Sequence, residues 1–127
     1  MRQRNRGFTL IELLVVVAII GILSAIGVVS YGKYKTSAEK KQAEISLNSI
    51  YLAEQEYKSN NGEYYYNAST SNLVTNLFDG IDDLSEQAYS FKTTNANTLS
   101  IIATNRKNSS CTITITEKNK KADPRGC

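Results

Sequence analysis

Hydrophobic and polar positions divide this chain into two stretches of different character. Between Leu13 and Gly32 no side chain carries a charge, and a single carboxylate, Glu12, stands at the edge of that run. A helix from Phe8 to Val29 would be about 33 Å long, against a bilayer hydrocarbon core of about 30 Å. Polar residues begin at Tyr31, Lys33, Tyr34 and Lys35, yet helical character continues to Ser59. The pattern predicts one helix of about 50 residues. Its outer half carries two apolar stripes. Ala43, Leu47, Ile50 and Tyr57 recur at helical spacing, and Ala38, Ile45 and Leu52 form a heptad line about 140° away. One stripe is expected to pack on the protein's own sheet and the other to meet neighbours; burial of both in one core is the alternative. Gly21, Gly27 and Gly32 each weaken the helix by about 1 kcal/mol relative to alanine, which marks Gly27 and Gly32 as sites for a kink.

Asn60-Asn61-Gly62 stops the helix. Glu63 to Asn72 is polar and tyrosine-rich and is expected to be a surface loop, followed by a short helix over Leu73 to Phe78 that Gly80 ends. Three strands are predicted at Ala88 to Thr94, Leu99 to Thr104 and Cys111 to Glu117, the last alternating Cys111, Ile113 and Ile115 with threonines. The connections, Asn95-Ala96-Asn97 and Arg106 to Ser110, are of hairpin size. The fold class is α+β: a long N-terminal helix, its first half membrane-spanning, packed on a small antiparallel β-sheet.

Charge sharpens the orientation. The formal net charge is +3, and Arg2, Arg4 and Arg6 supply all of it, because the other twelve basic residues balance the twelve acidic ones. The body is therefore not a polycation, and attraction of the whole protein to nucleic acid is not indicated. Arginines ahead of the apolar run leave the N-terminus in the cytoplasm and send the body outward. Cys111 and Cys127 fit one disulfide in an oxidising compartment; two free thiols in the cytosol are the alternative. A secretory signal would have a shorter apolar stretch and a small-residue cleavage site. A plain signal anchor explains the length and the arginines but leaves Glu12 and the Gly7-Phe8 junction without a purpose.

Gly7-Phe8-Thr9-Leu10-Ile11-Glu12-Leu13, behind a short basic leader, resembles the processing site of type IV prepilins. The resemblance implies a leader over residues 1–7, cut after Gly7 by a prepilin peptidase that then methylates Phe8. It implies a transmembrane and filament-core helix over 8–32 and a globular head over 33–127. Storage as a single-pass protein of the bacterial inner membrane would precede polymerisation into an extracellular pilus. The implied partners are other copies of the chain in a helical homopolymer, the peptidase, the inner-membrane assembly platform and minor pilins. Motility, adhesion and DNA uptake are the uses of such filaments, and a pseudopilin of a type II secretion system is the alternative within the same leader class. For Glu12 the resemblance implies a role in assembly. A free amine at Phe8 is cationic at neutral pH and would need a partner in an apolar filament core, where either charge alone is costly. The pairing of Cys111 with Cys127 likewise resembles the C-terminal disulfide loop of pilins.

Other chemistry is sparse. The chain has no histidine, which excludes His-based acid–base catalysis and His metal ligation. No nucleophile–base–acid set is recognisable, so neither enzyme, metal nor cofactor is expected. Asp79, Asp82, Asp83 and Glu86 cluster without EF-hand spacing and are expected to be a solvated patch. Asn67-Ala68-Ser69 and Asn108-Ser109-Ser110 match the glycosylation sequon by letters only. Lys118, Lys120, Lys121 and Arg125 face only Glu117 and Asp123 in the same segment, which makes this loop a candidate contact for anionic surfaces or DNA.

Overall fold

A computed structural model describes residues 6–66, 68–94 and 97–127. Arg2, Arg4, most of the leader, the sequon asparagine Asn67 and the turn residues Asn95 and Ala96 lie outside the described residues. The chain divides into two compact units, Met1–Ser37 and Ala38–Cys127, and helix α1 (Leu10–Asn61) begins in the first and ends in the second.

In the first unit every described residue is exposed. The helix is continuous through Gly21, Gly27 and Gly32, with no break at any of them. Ser24 donates its hydroxyl to the Ile20 carbonyl at 2.7 Å and Thr36 to the Gly32 carbonyl at 3.1 Å. Both bonds satisfy a hydroxyl within the helix itself.

The second unit is built around an antiparallel meander. Strands β1 (Tyr89–Thr94), β2 (Ser100–Asn105), β3 (Thr112–Thr116) and β4 (Asp123–Arg125) are hydrogen-bonded in that order. Register pairs Phe91 with Ala103 and Ala103 with Ile113, so the buried positions of successive strands fall side by side. Alternation does the rest: Tyr89, Phe91, Ile101, Ala103, Ile113 and Ile115 share a core with Ala43, Leu47 and Ile50 of α1. Burying one such Leu or Ile stabilises the fold by about 1.5–3 kcal/mol before entropy is counted. The opposite sheet face is mainly threonine, serine and Lys92, with Ile102 half-buried among them.

The two stripes of α1 separate as expected. Ala43, Leu47 and Ile50 are fully buried, whereas Ile45 and Leu52 are 66% and 67% exposed. Single-core burial of both stripes is thereby excluded for this chain on its own.

Three details differ from expectation. Helix α2 spans Thr70–Leu77, starting three residues early. Thr70 accounts for this: its hydroxyl accepts from the Phe91 amide at 2.9 Å and donates to the Phe91 carbonyl at 3.1 Å. The bonds fasten the helix start to β1. Second, the C-terminal segment is not only a loop, because β4 pairs with β3 in the register Thr112 to Arg125 and Thr114 to Asp123. Pro124 is tolerated there because an edge strand needs its amides on one side only. Third, Gly126 adopts a φ of +65°, and a Cβ at that position would collide with the Ser110 carbonyl. Only glycine brings the chain end this close to Cys111.

Candidate functional site

The junction ahead of α1 is small and locally determined. Gly7 and Phe8 are exposed and non-helical, and a side chain at Gly7 would meet nothing within 4 Å. The chain itself therefore sets no size limit at Gly7. Thr9 is the residue before the first helical position. Its amide donates to Glu12 Oε2 at 2.8 Å, and the Glu12 amide donates to Thr9 Oγ1 at 3.3 Å. This reciprocal pair is a capping box: two of the amides that a helix start leaves without partners are satisfied by each other's side chains. The carboxylate also sits in the first turn, where the helix dipole favours negative charge. Thr9 is the residue that sequence reasoning missed. The Thr-x-x-Glu spacing carries the signal, but a charge beside an apolar run draws attention to an external partner and away from the local cap.

At the other end of the chain, Cys111 and Cys127 are disulfide-bonded, with Cα atoms 4.5 Å apart. Cys111 is buried beside the Tyr89 hydroxyl, and Cys127 is exposed. The basic residues of this segment do not form one patch. Lys120 and Lys121 line a hollow with Lys41, Glu44, Asn48 and Ala122. Lys118 lines a different one with Thr98, Leu99 and Glu117. Arg125 faces the outer sheet surface beside Thr112 and Thr114, and its guanidinium is paired with Asp123 at 3.1 Å. The local excess of positive charge thus rests on the three lysines.

The acidic cluster is exposed. Asp82 accepts from the Ser85 amide at 2.8 Å, which holds its carboxyl below the usual range. Among the described residues no group of acidic or cysteine side chains is arranged to hold a metal ion.

A different carboxylate stands out where α1 meets the following loop. Glu54 is fully buried, one turn beyond Ile50 on the core stripe. Its Oε2 accepts from the Tyr65 amide at 2.8 Å, while Oε1 has no hydrogen-bond partner among the described residues. Burial raises its pKa to about 7, against the opposing effect of the Tyr65 amide. Around it the loop is fastened by side chains: Gln55 donates to the Tyr64 hydroxyl, which donates to Glu117, both at 3.0 Å. The Lys58 ammonium lies 4.2 Å from the centre of the Tyr64 ring.

Residues 2–28 match the family described as the prokaryotic N-terminal methylation motif. Curated relatives extend the similarity. Over 61 residues the chain is 44% identical to the type IV major pilin protein PilA of Myxococcus xanthus, covering 48% of this chain and 28% of that one. Over 75 residues it is 36% identical to a fimbrial protein of Neisseria meningitidis serogroup B, covering 59% of this chain and 44% of the relative. It is 33% identical to the type IV major pilin protein PilE1 of Neisseria gonorrhoeae, covering 59% and 46%. The chain thus spans less than half the length of these relatives. No solved structure matches. The fold and the motif together define an apolar, capped helix with an N-terminal methylation motif at its start. The N-terminal region is similar to that of type IV major pilins and carries the motif at the position where their processing site lies.

Proposed function

We propose that this chain is a structural subunit of a type IV pilus. A prepilin peptidase removes residues 1–7 and methylates Phe8. Residues 8–32 hold the subunit in the inner membrane, and the same helix becomes filament core when subunits polymerise over the assembly platform and minor pilins. The observation that carries the proposal is the junction: Gly7 and Phe8 exposed ahead of a Thr9–Glu12 cap, followed by an uncharged helix of membrane length. In that setting Glu12 neutralises the Phe8 amine of a neighbouring subunit. Relatives named as major pilins favour a pilus over a secretion pseudopilus.

The test uses two variants. Gly7→Val is expected to remain uncut, because the peptidase must admit the residue before the bond and only glycine lacks a Cβ. Mass spectrometry should find it about seven residues heavier than the mature wild type. Glu12→Val lacks the carboxylate but keeps the apolar helix, so it should accumulate in the membrane as the wild type does while forming few filaments. Normal maturation of the first variant, or unaided polymerisation of the second, would overturn the reading. Electron microscopy of cells lacking the chain separates the alternatives: a pilin's loss removes surface filaments, whereas a pseudopilin's loss abolishes secretion and leaves them.

A further inference from the structure

Directly after the uncharged run, α1 carries Tyr31, Lys33, Tyr34 and Lys35, all within the first compact unit. Tyr31 and Tyr34 are 68% and 72% exposed, and both lysines are exposed as well. Among the described residues no carboxylate pairs with Lys33 or Lys35. At about 100° per residue the two lysines point about 160° apart, and both tyrosines fall in the wider arc between them. The four side chains therefore spread over about 200° of the helix circumference, more than one face, within about 6 Å of its length. A protein partner would meet one face of a helix. Amphipathic side chains spread over more than half the circumference at one level meet a plane, and the plane that begins where an apolar span ends is the layer of lipid headgroups.

We infer that this cluster docks into the headgroup layer of the leaflet opposite the N-terminus and gathers anionic lipids there, an inference that rests on membrane storage of the subunit. Tyrosine suits this depth because its ring is apolar and its hydroxyl is not. Lysine stems lie along the acyl boundary while the ammonium groups reach the phosphates. Depth then follows from the helix. Glu12 and Lys33 are about 32 Å apart along the axis, close to the hydrocarbon thickness of about 30 Å. With Lys33 among the headgroups of one leaflet, Glu12 lies among those of the other. Its carboxylate remains hydrated during storage, and the cost of carrying a charge into an apolar medium falls on assembly instead.

The sequence contains no tryptophan, so Tyr34→Trp installs a single reporter in the full chain. The protein is reconstituted in mixed phosphatidylcholine–phosphatidylglycerol vesicles and recovered by flotation. Acyl-chain bromines near the headgroups should quench the reporter about twofold more than bromines near the bilayer centre. Energy transfer should be about twofold greater to headgroup-labelled phosphatidylglycerol than to headgroup-labelled phosphatidylcholine, and this preference should shrink with salt. Adding Lys33→Gln and Lys35→Gln should abolish the preference while flotation persists. Equal transfer to both lipids, or strongest quenching at the bilayer centre, would overturn the inference and leave membrane storage standing. Displacement of labelled phosphatidylglycerol by free inorganic phosphate at constant ionic strength would also overturn it, by revealing a phosphate site. A chain that does not float with the vesicles would overturn both.

Discussion

At Glu54 a buried carboxylate makes one hydrogen bond and leaves one oxygen without a partner. Burial raises its pKa from 4.5 to about 7, so the folded protein holds a proton that the unfolded chain releases. The associated stability is fully present below about pH 4.5, falls as pH rises towards 7, and is lost beyond that. The loss is on the order of 3 kcal/mol. Wild-type protein in detergent should therefore melt at a lower temperature at pH 8 than at pH 5. Glu54→Gln keeps an acceptor for the Tyr65 amide without a charge, and should flatten that portion of the curve. An identical pH profile in the variant would exclude Glu54 as its cause. The burial was partly legible: Glu54 lies four residues after Ile50 and seven after Leu47, on the stripe that enters the core. What sequence alone does not convey is that the following loop folds back and covers it.

At the scale of elements, period was the reliable guide. It separated the buried stripe of α1 from the exposed one and located three strands to within about one residue at each end. It was silent where backbone pairing between distant segments decides the outcome. Asp123-Pro124-Arg125 has no apolar alternation, and its only signal is a proline that argues for a loop, so β4 was not expected. The start of α2 was similarly set by Thr70 reaching Phe91, a contact across 21 residues. The two stripes should now respond differently to substitution. Leu47→Ala empties a fully buried site and should destabilise the fold by about 2–5 kcal/mol. Ile45→Ser with Leu52→Ser touches exposed positions and should change stability by about 0.5 kcal/mol or less each. If the exposed stripe meets neighbours in a filament, the double variant should mature normally yet yield fewer filaments in sheared preparations. Wild-type filament yield from that variant would leave the stripe without an assembly role.

For the molecule as a whole, polymerisation would change the meaning of weak surface features. Lys120 and Lys121 line one hollow and Lys118 another, and the three make an ordinary solvated surface on one subunit. Repeated along a filament, the same charges act together, and binding to DNA through phosphates becomes multivalent. Purified filaments should then retain DNA at low salt regardless of its sequence and release it steeply as salt rises. Replacing the three lysines with Gln should abolish retention without impairing assembly; equal retention by both filaments would assign the binding elsewhere. Arg125 should contribute little, because Asp123 already neutralises it. The short β4 strand has a different bearing on self-association. A chain meant to polymerise through its helix has to avoid doing so through its sheet, since any bare strand edge is a template for stacking copies without limit. At one margin of the sheet, Ser69 bridges to Lys92 and the Thr93 amide bonds to the Ala68 carbonyl. At the other, three residues with a proline among them cover β3, and the Cys111–Cys127 bond ties the chain end beside them. Both margins of the sheet are thereby blunted against recruitment of further strands, so that, if subunits do grow through the helix, amyloid-like stacking competes less with that growth.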